Sequence, residues 1–381
     1  MVQINLLPLT PLMIMAGAAI VLILLITIRR MHLLSLVFSI IALTGALITA
    51  TLLLPDTTGP EYGLLVMDHF TLFFLVLLLA AGIAVTLLSY DYMQMHEEKK
   101  EEYYILIFLA LLGSGILVAG RHFAAIFLGL ELLSVSLYVM ISYMRTRGRS
   151  IEAGAKYLIL AAVSSAFLLF GMALVYFSSG AMHLNELAEA LATMNGMPML
   201  MRIGFAMMLG GISFKLALAP FHMWTPDVYQ GAPAPITGFV ATISKGAVFA
   251  LLFRLYSTLD LFSYDFMVVF FIIIAILSMF TGNILALLQQ NIKRILGYSS
   301  IAHLGYLLIA FIAGVKMGGE AAGFYLVAYF ITILGAFGVI SILSRQDDEP
   351  EDIDDDQGLL WKKRWLSVIL SAMLFSLAGI P

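Results

Sequence analysis

A single lysine, Lys215, lies inside a strongly apolar stretch of the chain. The stretch runs GFAMMLGGISFKLALAPFHMWTPDVYQGAPAP over residues 204–235, and about ten residues on either side of the lysine carry no compensating charge. Inserting an ionisable side chain into a membrane segment costs about 2.5–3.5 kcal/mol, and such residues usually mark ion or proton pathways. The chemistry this position favours is the binding and release of a proton or an ion.

A cluster of prolines follows the lysine and is expected to break its helix. Prolines remove backbone donors, and a bilayer tolerates the freed carbonyls only where they face protein or water. A charge beside a broken helix is how ion-coupled membrane proteins build a site at mid-membrane. The four prolines are Pro220, Pro226, Pro233 and Pro235.

Two further ionisable residues lie deep in apolar runs. Glu131, in FLGLELLSVSLY, is about nine residues into its run, or roughly 14 Å at 1.5 Å per residue. It is either a protonated carboxyl bonded to Ser134 or Ser136, or a carboxylate paired with a lysine of a neighbouring helix, and we favour the pair. Lys245 has no acid within one helical turn. A structural salt bridge is open to it, but a titrating role is the preferred interpretation.

Supporting roles are assigned to two more residues. Lys156 lies one turn from Glu152, which allows a local ion pair, but we expect its amine to point into the interior. His303 is either a hydrogen-bonded core residue or part of a proton relay with the buried lysines. Simpler boundary or capping roles are expected for Asp68, His69 and Asp227.

Composition places the chain in the class of helical membrane proteins. Of its 381 residues 62% are hydrophobic and 12% are charged, whereas a soluble domain is about half apolar and a quarter charged. The net charge is −4 and no basic face exists outside loops, which argues against nucleic-acid binding. The absence of cysteine excludes disulfides, thiolate-bound iron–sulfur clusters and cysteine-linked haem in this chain.

Apolar runs of about 17–28 residues recur along the chain. They predict an all-α polytopic protein of about eleven complete membrane helices and part of a twelfth, with one proline-broken span. Residues 183–194 predict a short helix on the membrane surface. The predicted spans are 6–28, 32–54, 64–90, 103–120, 122–144, 153–178, 199–232 (broken), 236–259, 265–289, 293–313, 320–344 and an incomplete one from 365.

The basic residues predict the orientation. With the N-terminus outside, cytoplasmic loops, including the one with Arg345, hold 13 of the 20 basic residues, and the outer side, with Arg254 and Lys316, holds 4. The first apolar run precedes its arginines, so it is interpreted as a retained helix and not as a cleaved signal. The acidic residues between 347 and 356 are expected to form a solvated loop.

A five-residue pattern at the end of the sequence also occurs earlier in the chain. LALAP at 216–220 and LAGIP at 377–381 share the pattern LAxxP, 161 residues apart. Because leucine and alanine are abundant here, a true repeat and a coincidence both remain open. The chain stops on Pro381 inside an apolar run, which suggests a C-terminally truncated sequence.

Longer motifs carry a family resemblance. SFKLALAPFHMWTPDVYQGAPAP (213–235), NIKRILGYSSIAHLGY (291–306), GLELLS (129–134) and SLAGIP (376–381) resemble the subunit N family of bacterial NADH-quinone oxidoreductase, respiratory complex I. The resemblance covers the whole chain. It implies an antiporter-like fold with two inverted five-helix repeats. The implied division is residues 1–102 for helices 1–3, 103–259 for the first repeat and 260–381 for an incomplete second repeat.

The resemblance also implies a function. The chain is expected to translocate protons in the bacterial inner membrane without a redox site of its own, while partner subunits hold NADH, FMN, iron–sulfur clusters and quinone. Other membrane subunits of the complex, antiporter-like and small, are the expected partners. The distal lysine of the family lies beyond residue 381. The implied proton-channel residues are Glu131, Lys215 and Lys245, with Lys156 and His303 in support.

Three alternatives remain. A subunit of a cation/proton antiporter or of a membrane-bound hydrogenase would share the fold, and its gene neighbours would distinguish it. A stand-alone secondary transporter predicts uptake by the purified chain alone. A purely structural scaffold would have to carry three costly membrane lysines without using them.

Overall fold

The computed structural model describes residues 6–54, 61–96, 99–194, 196–344, 352–353 and 358–380, with no account of the side chains of residues 315–317. In these ranges the chain forms fifteen helices and one two-stranded ribbon. The ribbon pairs β1 (Glu61–Tyr62) with β2 (Leu65–Val66) in antiparallel register. The helices are α1 (Thr10–Ile28), α2 (His32–Leu53), α3 (His69–His96), α4 (Glu102–Ala119), α5 (Phe123–Ile141), α6 (Gly148–Ser179), α7 (Leu184–Thr193), α8 (Met199–Leu216), α9 (Thr225–Gly231), α10 (Ala234–Leu259), α11 (Asp265–Leu287), α12 (Ile292–Ile312), α13 (Val315–Leu343), α14 (Leu359–Lys362) and α15 (Arg364–Leu377).

Eleven of the helices in the described ranges are long and apolar enough to cross a membrane. This confirms the polytopic all-α architecture and the number of complete spans. Many apolar side chains on α1, α2, α6 and α11 are exposed, as expected for helices that face lipid. The most apolar stretch of α10 is buried throughout, so α10 is the central helix of the bundle.

Residues Arg345, Pro381 and most of 347–356 lie outside the described residues, as does the side chain of Lys316.

The surface helix predicted for residues 183–194 forms as α7. Its N-terminus is capped by the His183 ring, which accepts a hydrogen bond from the Asn185 N–H at 3.4 Å. Leu184, Leu187 and Leu191 occupy its buried face. Their spacing of three and four residues gives the one-sided apolar stripe of an amphipathic helix.

The proline-broken span separates into α8, a turn over residues 217–224, and α9. Ala217 adopts a left-handed conformation (φ 59°) at the end of α8, and the Leu218 N–H donates to the Ser213 carbonyl at 2.9 Å. This 6→1 bond is that of a Schellman cap. The later prolines stand at helix starts, where a missing N–H costs no helical bond: Pro226 opens α9, and Pro233 and Pro235 open α10.

Neighbouring helices satisfy polar groups freed by the break. The Ala219 N–H donates to Ser278 Oγ on α11 at 2.9 Å, and Trp224 Nε1 donates to the Phe214 carbonyl at 2.9 Å. Unpaired backbone groups are costly where water is absent, so these bonds allow a non-helical segment in the middle of the bundle.

Two helix pairs cross in the same register. On α4, a Cβ added to Gly113 would lie 2.6 Å from Leu133 N and 2.9 Å from the Gly129 carbonyl of α5. On α11, a Cβ added to Gly282 would lie 2.6 Å from Ala302 N and 2.8 Å from the Tyr298 carbonyl of α12. The residues of each equivalent contact differ by 169 positions, which supports an internal repeat.

The two LAxxP segments also have similar backbone structures, because each lies at the end of a helix. Helices α8 and α15 each end at the leucine of the pattern, Leu216 and Leu377. Behind α15, Gly379 adopts a positive φ of 82° and the Ile380 N–H donates to the Phe375 carbonyl at 3.0 Å. This is the same 6→1 cap, displaced by one residue relative to the end of α8. The repeat boundaries at 103, 259 and 260 stay predictions.

Candidate functional site

The first buried lysine is bound by a serine. Lys215 lies in the last turn of α8 with only 4% of its surface exposed, and its Nζ donates to Ser134 Oγ of α5 at 2.6 Å. The hydroxyl of Ser134 in turn donates to the Leu130 carbonyl at 2.7 Å. The amine also lies 5.7 Å from the centre of the Tyr157 ring, within range of a cation–π contact.

The expected ion pair between Glu131 and Lys215 is not formed in this structure. No oxygen of Glu131 lies within 4.0 Å of the lysine amine, although both residues are described. Oε1 of Glu131 is buried and has no hydrogen-bond partner among the described residues. Leaving a buried acceptor unpaired costs about 1–3 kcal/mol. The carboxyl group is therefore available to accept a proton or a cation one helical turn from Ser134.

The second buried lysine has the same kind of partner. Lys245, 1% exposed in α10, donates a hydrogen bond to Ser300 Oγ of α12. Ser300 also contacts the Tyr229 hydroxyl at 3.2 Å, and the lysine amine lies 5.4 Å from the Tyr229 ring centre. Tyr229 belongs to the short helix α9 that follows the break.

A π-helical turn directly precedes Lys245. It covers Val240–Ser244, and all five residues are buried. A π turn inserts one extra residue into a helix and is often found at functional sites, because it changes the direction of the next side chains. Nothing in the residue pattern of this span predicts the turn.

His303 connects the second lysine centre to the last helix. It lies three residues after Ser300 on α12, its Nδ1 is 2.6 Å from the Tyr325 hydroxyl, and its Nε2 is 3.2 Å from the Leu377 carbonyl. Leu377 ends α15, so the ring contacts a backbone group at the helix end. A relay role for His303 stays a prediction.

Lys156 does not join the buried centres. Its side chain is 43% exposed and its amine lies 2.8 Å from Glu152 and 2.8 Å from Asp227. Asp227 also binds Arg294 at 2.8 Å, which links the starts of α6, α9 and α12. Burial alone would raise the pKa of Asp227, but the hydrogen bonds from Lys156 and Arg294 outweigh it and hold the pKa below its usual value.

A small cavity of about 120 Å³ lies beside this ion-pair cluster. The expected capping role of Asp227 is wrong, because neither α9 nor α10 has a side-chain cap hydrogen bond, and its carboxylate instead binds Lys156 and Arg294 at the cavity wall. Within the described ranges no group of three or more histidine or acidic side chains could hold a metal ion. The lining residues of the cavity are Arg149, Glu152, Ala153, Lys156, Asp227, Gln230 and Gly231.

Another charged site lies at the opposite end of α10. Arg254 is 3% exposed, and its two terminal nitrogens each donate to one oxygen of Asp68 at 2.9 Å. Its remaining contacts are to Thr71, the Val118 carbonyl and the face of Phe70. Asp68 was expected to be a boundary residue, and no residue pattern predicts this pair, because its two partners are 186 positions apart.

The known proteins most relevant to this geometry are membrane subunits of respiratory complexes and antiporters. The family described as NADH:quinone oxidoreductase/Mrp antiporter, TM, matches residues 119–381. The chain belongs to this family. The match includes both lysine centres, the helix break and the end of α15.

Individual relatives agree with the family assignment. NADH-quinone oxidoreductase subunit N of Ectopseudomonas mendocina (strain ymp) is 44% identical over 384 aligned residues, which cover 99% of this chain and 77% of the relative. A chain of respiratory complex I from Thermus thermophilus with bound aureothin is 31% identical, with a TM-score of 0.83, and the match covers 97% of this chain and 79% of that one.

Two more distant structures share the fold. A chain of the archaeal membrane-bound sulfane sulfur reductase has a TM-score of 0.87 at 23% identity, covering 98% of this chain and 78% of that one. A chain of the Mrp complex from Dietzia sp. DQ12-45-1b has a TM-score of 0.87 at 19% identity, covering 99% and 72%. At these identities the likeness concerns the fold alone.

Proposed function

We propose that this chain is the proton-translocating membrane subunit N of a bacterial NADH-quinone oxidoreductase. The proposal rests mainly on two buried amines. Lys215 lies before the helix break and Lys245 lies after it, and each donates a hydrogen bond to one serine of a neighbouring helix. Placing a lysine inside a membrane segment costs free energy, and such residues usually have a function in ion or proton transfer. The 44% identity to a subunit N supports the same assignment.

In the proposed path the proton moves between titratable groups. Glu131 takes up a proton with its free Oε1 or attracts the Lys215 amine, and Lys215 passes its proton toward Lys245 through water near the break. From Lys245 the path continues by Ser300 toward His303 and the end of α15. Moving one proton against the membrane potential costs about 2.3 kcal/mol per 100 mV, so quinone reduction in partner subunits must supply the energy.

The redox chemistry is assigned to the partners. This chain has no cysteine to bind an iron–sulfur cluster, and we propose that NADH, FMN, iron–sulfur clusters and quinone are bound by other subunits. The matching structures are multi-subunit membrane complexes, and the proposed contacts are to neighbouring antiporter-like and small membrane subunits. We place the chain in the inner membrane with its N-terminus outside, as the distribution of basic residues favours.

A subunit of a cation/proton antiporter or of a membrane-bound hydrogenase is the second candidate. The Mrp and sulfane sulfur reductase chains share the fold, but at 19% and 23% identity this likeness does not distinguish the two functions. The two relatives of 44% and 31% identity belong to NADH-quinone oxidoreductase and respiratory complex I. Genes for NADH- and quinone-binding subunits beside this one would support the first assignment.

The test is NADH-driven proton uptake by membrane vesicles that carry the assembled complex. Lys215→Ala and Glu131→Ala are expected to lose most of the proton uptake per NADH oxidised. Lys362→Ala removes an exposed lysine of α14 and is the matched control, expected to pump normally. The amount of intact complex on a native gel, compared with that of the wild type, reports that the complex is assembled. A wild-type ratio of protons to NADH in assembled Lys215→Ala would overturn the proposal.

A further inference from the structure

Each lysine centre faces a pair of residues one helical turn apart. On α5 the pair is Glu131 and Ser134, and on α12 it is Ser300 and His303. Residues three apart lie side by side on a helix, about 5–6 Å between their Cβ atoms. Each pair therefore offers a lysine two adjacent partners, one titratable and one a neutral hydroxyl.

The two pairs occupy equivalent places. The glycine crossings relate α4 and α5 to α11 and α12 by 169 positions. The same offset relates Glu131 to Ser300 and Ser134 to His303. The order of serine and titratable group is reversed between the two helices, yet in both cases the lysine amine binds the serine.

Hydrogen-bond capacity explains what the serine provides. A hydroxyl has one donor and two acceptor positions. The Ser134 hydroxyl donates to the Leu130 carbonyl, so its lone pairs accept from the Lys215 amine. Oε1 of Glu131 has no hydrogen-bond partner among the described residues. A carboxylate would bind the amine more strongly, because bonds between two charged groups are about twice as strong as neutral ones.

We propose that Ser134 and Ser300 are positioning residues, which hold the lysine amine beside a titratable neighbour without pairing it to a fixed charge. The idea rests on the proposed function and adds to it. When Ser134 is absent, Glu131 is the acidic side chain one turn away on the same helix, and a stable Lys215–Glu131 pair slows proton transfer. When Ser300 is absent, the Lys245 amine loses its link to Tyr229 and its place next to His303.

Variants of similar size distinguish the effect of losing the serine hydroxyl from the effect of changing the side-chain volume. Ser134→Ala removes the acceptor, whereas Ser134→Cys keeps the size but is a weak hydrogen-bond partner. Both are expected to lower the rate of NADH-driven proton uptake about tenfold, the loss that corresponds to one hydrogen bond to a charged group. Ser134→Thr keeps the hydroxyl and is expected to restore the rate. The same three changes apply to Ser300.

Neighbouring serines are the controls. Ser136 bonds only to the Leu132 carbonyl of its own helix, so Ser136→Ala is expected to pump at the wild-type rate. Ser299→Ala serves the same purpose beside Ser300. Assembly of each variant is checked by the amount of intact complex on a native gel.

Each outcome decides one question. Slow Ala and Cys variants with a restored Thr variant support the positioning role. Wild-type pumping by Ser134→Cys and Ser300→Cys, while Lys215→Ala does not pump, overturns the role of the serines and leaves the proposed function intact. Slow pumping by the Thr variants, which keep the hydroxyl, shows that the hydroxyl is not sufficient for the wild-type rate and also overturns it. Normal pumping by Lys215→Ala and Lys245→Ala would overturn both proposals.

Discussion

The guanidinium of Arg254 and the carboxylate of Asp68 form a bidentate pair with two nitrogen–oxygen distances of 2.9 Å. The pair joins the central helix α10 to the start of α3, and the Arg254 Nε bond to the Val118 carbonyl adds α4. Two parallel bonds between planar groups fix both the distance and the angle of a contact. The helix that carries Lys245 is therefore anchored at the end of α10 away from the ion-pair cluster of Asp227.

Removal of this arginine is expected to be strongly destabilising. Arg254→Ala leaves the partly buried Asp68 without its main partner, and breaking one side of a buried pair typically costs 3–5 kcal/mol. The measurement is the thermal unfolding midpoint of the purified protein in detergent. Arg30→Ala is the control, because Arg30 and Glu102 form an exposed pair that should contribute at most about 1 kcal/mol. Equal small shifts in both variants would contradict the expectation.

The same pair predicts a pH dependence. Burial alone would raise the pKa of Asp68, but its bonds to Arg254 outweigh this and lower the pKa from 3.8 to about 2. As pH falls, the unfolded chain therefore takes up this proton before the folded protein does. The stabilisation is complete above about pH 4 and is lost as pH falls toward 2, with a total of about 2 kcal/mol.

This prediction is checked by the unfolding midpoint between pH 6 and pH 2, that is, from about two units above the usual pKa of 3.8 down to the folded-state pKa of about 2. Asp68→Asn cannot titrate, so its midpoint should fall less steeply over this range than that of the wild type. Parallel curves for the two proteins would contradict the assigned role of Asp68.

Lys156 is expected to matter much less for pumping than Lys215. Its amine is half-exposed and already bound to Glu152 and Asp227, so its removal disturbs a surface pair worth about 0–1 kcal/mol. Lys156→Ala should lower the rate of proton uptake by less than about threefold, whereas Lys215→Ala abolishes most of it. If Lys156→Ala lost as much proton uptake as Lys215→Ala, Lys156 would be an essential residue of the proton path, and the prediction would be wrong.

The glycine crossings make a prediction about packing. Gly113→Ala and Gly282→Ala each place a Cβ 2.6 Å from a backbone nitrogen of the neighbouring helix, so both should destabilise the protein by about 1–3 kcal/mol. Gly45→Ala is the control, because no atom lies within 4 Å of its added Cβ and alanine favours a helix by about 1 kcal/mol. Thermal unfolding in detergent measures all three. A stabilised Gly113→Ala or Gly282→Ala would contradict the shared crossing.

Hydropathy predicted the spans well because a bilayer imposes one length and one polarity on every crossing helix. The same cost argument identified Lys215 and Lys245, since a buried amine in an apolar run is unusual whatever surrounds it. Spacing along one helix cannot say which side chain of another helix an amine will reach. Along α5 the spacing indicates Ser134 only as a partner for Glu131, and nothing in the residue pattern indicates that Ser300 binds Lys245.

The misjudged orientation of Lys156 has a similar cause. The amine was expected to point into the interior, but Asp227 returns to the same end of the bundle after the break and binds it. The π turn before Lys245 depends on how α10 packs against its neighbours and left no trace in the residue pattern. The residue pattern therefore indicates which ionisable side chains are buried in apolar runs, whereas their partners depend on tertiary contacts between helices.

The short helix α9 separates two very different environments. Asp227 and Tyr229 are two residues apart, about 3 Å along the helix axis, and about 200° apart around it. The carboxylate binds half-exposed cations beside a small cavity, while the tyrosine contacts Ser300 beside the buried Lys245. A single short helix therefore separates the partly exposed ion-pair cluster from the buried Lys245 amine.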